Sequence, residues 1–152
     1  MDYTVFVTVL SGVLTYVVGQ LVVKLLIDPV QAMNKTIGQV AHSLTFLANV
    51  TGNPGLQSQE IGREASKQLR QLSSELESHL YLVPKYRQTA WLFRLPNQKE
   101  VLKSRDYLIG LSNSVEPKDP RGTLADANAK RVESIRDSLG LYMSDSERVP
   151  KS

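Results

Sequence analysis

Twenty-one consecutive residues, Tyr3 to Val23, carry no charge. No other feature limits the architecture of the chain as strongly. As an α-helix the run reaches about 32 Å, which matches the ~30 Å hydrocarbon core of a bilayer. A buried strand would suit Val5, Val7, Val9, Val13, Val17, Val18, Val22 and Val23 by propensity. A single strand of that length would be unusual, and only Gly12 and Gly19 interrupt the run. A cleaved secretory signal needs a basic leading segment and a small-residue cleavage site. The chain opens with Met1–Asp2, and no Ala-x-Ala pattern follows. The expectation is one uncleaved transmembrane helix over residues 3–27. Lys24 snorkels at its end, and Asp28–Pro29 closes it as the cap and first residue of a new helix.

The flanks give an orientation. No Lys or Arg precedes the span, whereas Lys24 and Lys35 follow it. The excess of cations retained on the cytoplasmic side then predicts an N-terminus outside and a C-terminus in the cytoplasm. Within the span, Thr8 and Gly12 lie four apart, as do Ser11, Thr15 and Gly19. Small residues at that spacing let two helices approach closely, and Gln20 could bond across such a contact. The expected partner here is the lipid bilayer; a second copy of the chain could pack through this stripe, although Gly, Ser and Thr are common in spans that never dimerise.

The remainder is of ordinary solubility. Mean hydropathy over the 152 residues is −0.20, and without the span it falls to roughly −0.5. Beyond residue 28 the apolar pattern is helical. A first helix is predicted over Pro29–Val50. Its apolar positions Val30, Met33, Ile37, Val40, Leu44 and Leu47 recur in steps of three and four. This residue 30–47 stripe suits either the core of its own domain or a seam with a second copy. Thr51–Gly52–Asn53–Pro54–Gly55 breaks the pattern. A second helix follows over Ser58–Val83, with Ile61, Ala65, Leu69, Leu72, Leu76, Leu80 and Val83 inward. Shorter helices are predicted over Pro84–Arg94 and Pro96–Ser114. Glu116–Gly122 reads as a loop, and a last helix runs from a Thr123 cap to Gly140. The predicted class is all-α: one N-terminal transmembrane helix (3–27), a small antiparallel helical domain (29–140) and a flexible tail (141–152).

Nothing in the sequence asks for catalysis. There is no Cys, and the two His residues, His42 and His79, lie on different predicted helices without a ligand at i+4. Glu75 and Glu77 point to different helix faces. Ser73–Ser74 has no nucleophile-elbow context, and Gly52–Asn53–Pro54–Gly55 has no following Lys to make a phosphate loop. No catalytic, cofactor-binding or metal-binding residue is expected. Asn34–Lys35–Thr36 and Asn49–Val50–Thr51 match a glycosylation pattern that the expected cytoplasmic placement makes irrelevant.

The stretch from Tyr81 to Arg94 holds the only Trp, Trp91, beside Lys85, Arg87 and Arg94, with no acid. Two placements suit it. A short helix could bury Trp91 and Leu92 with its cations facing solvent, which is the expectation here because Trp is usually buried in a small core. Alternatively, Lys85, Arg87, Trp91 and Arg94 could contact the membrane surface. Continued to Tyr107, the segment has six cations against two anions, net +4. Without a basic run that is weak for nucleic acid, which is not an expected partner.

Several short segments stand in an order that resembles uncharacterised bacterial single-span membrane proteins with a short cytoplasmic helical domain. They are Gly19–Gln20, Ile27–Asp28–Pro29, Ile37 to Leu44, Asn53–Pro54–Gly55, Glu75 to Leu80 and Leu108 to Asn113. The resemblance implies a bacterial inner membrane and no particular activity. Three functions remain in view: a non-enzymatic membrane-anchored interaction or scaffold module with an unknown protein partner, a toxin-like or phage-defence effector whose span oligomerises, and a small membrane-bound enzyme. The first is the expected one.

Overall fold

The computed structural model describes residues 3–116 and 123–142. The loop predicted across Glu116–Gly122 and the tail predicted over 141–152 therefore fall largely outside the described residues. Within them the regular structure is entirely helical. In order come α1 (Tyr3–Val22), a π-helical turn (Val23–Ile27), α2 (Asp28–Phe46), α3 (Ala48–Gly52), α4 (Gln59–Leu82), α5 (Tyr86–Phe93), α6 (Gln98–Ser114) and α7 (Thr123–Leu139).

The first boundary differs from expectation. Asp28–Pro29 does not end a helix; α1, the π turn and α2 form one helix of 44 residues, Tyr3–Phe46. Asp28 keeps helical dihedrals, and its N–H donates to the Val23 carbonyl five residues back. A proline inside an α-helix lacks a donor and its ring clashes with the carbonyl four residues earlier. The wider i→i+5 turn immediately before Pro29 lets the helix continue past it. Lys24 and Asp28 pair across this turn at 3.1 Å.

The core starts only beyond the turn. Its first member is Val30 and its last is Leu139, and no residue of α1 is buried. The heptad positions Val30, Met33, Ile37, Val40, Leu44 and Leu47 are all buried in it. Of the two placements the sequence left open, the structure shows the first: the residue 30–47 stripe is enclosed by the chain's own helices. Against it packs α4, which also packs on α6, while α7 covers α6 and α3. Polar ties cross the same interfaces. Thr36 Oγ1 and His79 Nε2 form a hydrogen bond at 3.0 Å, and Gln68 donates to Ser43 Oγ at 2.8 Å. Between α4 and α6, Arg105 meets Glu77 at 3.7 Å and Arg70 donates to Asn113.

Caps fix the helix ends. Ser58 Oγ accepts from the Ile61 N–H, and Asn97 Oδ1 accepts from the Glu100 N–H, so α6 starts at Gln98 rather than at Pro96. Ile61 is exposed, contrary to its place in the predicted stripe. Gly62 is buried instead, where a Cβ would stand 3.4 Å from Glu116 Cγ. At the end of α7, Gly140 adopts φ +67°, the Leu141 N–H donates to the Arg136 carbonyl and the Gly140 N–H to the Asp137 carbonyl. This is a Schellman ending, at the glycine where the sequence places the helix end.

Asn128 was not legible as a core residue. Its side chain is buried between three helices. Its Nδ2 donates to the Thr51 carbonyl of α3, and its Oδ1 accepts from Ser114 Oγ of α6 and from Arg131 of its own helix.

Candidate functional site

Two surfaces stand out because apolar side chains are presented to the outside without a partner in the chain. The first is α1 itself. The side chains of α1 are exposed along its whole length. Built as a regular α-helix, Thr8, Ser11, Gly12, Thr15 and Gly19 share one face within roughly 100°. Gln20 falls about 80° outside that arc, at the edge of the face. Nothing lies within 4 Å of where a Cβ would stand at Gly12 or Gly19. Thr8 donates its hydroxyl to the Thr4 carbonyl at 2.9 Å, which satisfies it within the helix.

The second surface is α5, where the expected burial fails. Trp91 is 83% exposed and Leu92 62% exposed. The buried positions are Tyr86, Thr89 and Ala90, spaced i, i+3, i+4, which turns Arg87, Trp91 and Leu92 outward. Two residues in the left-handed region set this arrangement: Lys85 (φ 44°) before the helix and Arg94 (φ 55°) after it. Neither is Gly, so each conformation costs about 1 kcal/mol or more and is held by its surroundings. The surroundings are specific. Thr89 Oγ1 donates to the Pro84 carbonyl at 2.7 Å, Tyr86 Oη donates to the Pro96 carbonyl at 2.8 Å, and the Leu95 N–H reaches back to the Ala90 carbonyl at 2.9 Å. Burial pushes the Tyr86 hydroxyl up to about 12, so it stays protonated and remains a donor.

Tyr81 and Leu82, at the end of α4, add exposed apolar area next to this face. Lys85, Arg87 and Arg94 are exposed and form no ion pair among the described residues. An open cleft of about 520 Å³ lies beside Trp91, between Arg87 and Lys99. The four residues named from sequence as a membrane-surface alternative, Lys85, Arg87, Trp91 and Arg94, thus lie on or bracket one short helix, all exposed. What the sequence concealed is the pair of left-handed residues, since neither is a glycine that would flag the turn.

The two histidines lie elsewhere. His42 is exposed and stacks on Phe46 with centroids 5.9 Å apart. His79 is partly buried, and desolvation lowers its pKa, partly opposed by the charge of Glu75. Its Nδ1 is buried without a hydrogen-bond partner. No group of three or more metal-capable side chains gathers among the described residues. No protein-family model, no curated protein and no solved structure matches the chain.

Proposed function

We propose that the chain is a single-span membrane protein whose α1 anchors a small antiparallel helical domain to the bilayer, where the domain serves as a non-enzymatic interaction or scaffold module. The observation that carries this reading is the division of the 44-residue helix. Its first twenty residues, Tyr3–Val22, carry no charge and bury nothing, while the core begins at Val30 and closes without them. A water-soluble domain gains nothing by exposing an uncharged helix of that length, whereas a bilayer supplies the missing burial. The antiparallel arrangement draws on the cross-helix bonds. Residue 36 pairs with 79 and 43 with 68, and 77 with 105 and 70 with 113, so one index falls as the other rises.

The orientation proposed is N-terminus outside and domain in the cytoplasm of a bacterial inner membrane, supported by Lys24 and Lys35 on the domain side of the span. The test is fractionation. The full chain should remain in the membrane pellet under alkaline carbonate, and a variant lacking residues 1–27 should become soluble and keep its helical circular dichroism. A full chain extracted by carbonate would refute the span. A shortened chain that loses its helicity would refute the independence of the domain.

A further inference from the structure

We infer that the outward face of α5, Trp91 and Leu92 with the cations Lys85, Arg87 and Arg94, is a second membrane contact that docks the domain on anionic lipid headgroups; this rests on the reading of α1 as the anchor. Three observations converge on it.

The first is position. The paired residues 36 with 79 and 43 with 68 place the C-terminal end of α4 at the anchor end of α2. Continued three residues past His79, the register sets Leu82 level with about residue 33, roughly 8 Å of helix rise beyond Asp28. The headgroup layer on each side of a bilayer is about 5–8 Å thick. The turn Val83–Lys85 and α5 follow immediately, at the connection between α4 and α6. Trp91 and Tyr81 therefore stand on the end of the domain that faces the bilayer, within side-chain reach of its surface.

The second is chemistry. Residues 81–94 contain three cations and no anion, beside an exposed Trp and Leu. Indole at headgroup depth with Lys and Arg alongside is the composition of an interfacial helix, and its charge complements an anionic leaflet. The exposed apolar side chains Phe46, Leu56 and Ile61 belong to the far end by the same register, and Tyr142, whose carbonyl shares Arg136 with Thr45, lies there too, so all stand apart from this cluster.

The third is rigidity. The hydrogen bonds from Thr89 to Pro84 and from Tyr86 to Pro96 clamp α5 at both ends, so its outward face is presented without further ordering. An anchor already holds the domain within nanometres of the surface, so even a weak contact is occupied.

Trp91 is the only Trp, so its fluorescence reports on this face alone. The experiment uses the full chain reconstituted in vesicles of phosphatidylcholine, with or without phosphatidylglycerol, carrying bromine near the glycerol end of the acyl chains. The expected result is loss of most of the Trp91 emission in phosphatidylglycerol vesicles, weaker quenching in phosphatidylcholine alone, and recovery of emission in 1 M salt, where the Debye length is about 3 Å. The triple variant Lys85→Gln, Arg87→Gln, Arg94→Gln should also recover emission while keeping its circular dichroism. If that variant misfolds, the wild-type comparison between the two lipids decides. Wild-type protein that floats with the vesicles yet leaves Trp91 unquenched overturns the lipid contact and leaves the anchor standing. Equal quenching in both lipids overturns the anionic docking. Protein that fails to float overturns the anchor, and the contact with it.

Discussion

Asn128 occupies the most demanding position in the domain. It is 1% exposed, and its amide answers a carbonyl on α3, a hydroxyl on α6 and a guanidinium on α7. Replacing it with Ala would leave the buried Thr51 carbonyl without this donor and remove the acceptor shared by Ser114 and Arg131, at a cost of about 1–3 kcal/mol. Denaturant unfolding of Asn128→Ala in detergent micelles should reveal that loss. Trp91→Ala, by contrast, should change stability by no more than about 0.5 kcal/mol, because the ring is exposed and packs on nothing that folding needs. The same unfolding curves test it, and a loss of several kcal/mol would mean that Trp91 is core. Composition misleads at both sites, since a polar Asn amid a helix reads as solvent face and a lone Trp reads as core. What decides each is which helix stands opposite, and that is absent from any local window. His79 adds a pH dependence. Burial lowers its pKa in the folded protein, so well above the ordinary imidazole value of about 6.5 it is neutral whether folded or unfolded and stability is unaffected. As pH falls below that value the unfolded chain takes up the proton first, and stability declines until the folded state also binds it. Unfolding midpoints should therefore drop on mild acidification, and His79→Gln should flatten that drop.

The helices themselves were mostly readable. The steps of three and four from Val30 to Leu47 marked the buried face of α2 correctly, because burial on one side of a helix leaves that period in the sequence. The Gly140 ending appears where Gly sets it, whereas the predicted breaker is displaced: α2 already ends at Phe46, and α3 carries the helix through Thr51 and Gly52, so the chain leaves it only at Asn53–Pro54–Gly55. Two elements escaped for a shared reason: backbone geometry unmarked by its usual residue. At Pro29 the helix continues because a π turn absorbs the proline, and at Lys85 and Arg94 left-handed dihedrals occur without Gly. Gly38 offers a test of α2 as an element. It is exposed, and a Cβ there would meet nothing within 4 Å. Gly38→Ala should stabilise the protein by about 0.5–1 kcal/mol, by removing backbone freedom from the unfolded chain. A higher unfolding midpoint in micelles is the expected reading, and a lower one would mean that this face of α2 is covered.

For the whole molecule, the proposed topology has a direct measure. A reporter active only in the cytoplasm should work when fused after Ser152, and one active only outside should fail there. The exposed stripe of α1 invites a second measurement: controlled expression with a membrane-potential dye. A scaffold should leave the potential intact, whereas span-dependent depolarisation would favour the effector reading. The π turn bears on how such a stripe relates to the domain below it. Carried at 100° per residue through an uninterrupted α-helix, the Thr8–Gly19 face and the Val30–Leu44 face would share one azimuth. The domain's bulk would then sit directly beneath any helix gripping the stripe. A turn closed at i→i+5 holds one residue more than an α turn, which rotates everything after it by about 100°. Val23–Ile27 thus acts as an angular offset, which sets the small-residue face of α1 and the core face of α2 about a quarter-turn apart on one long helix.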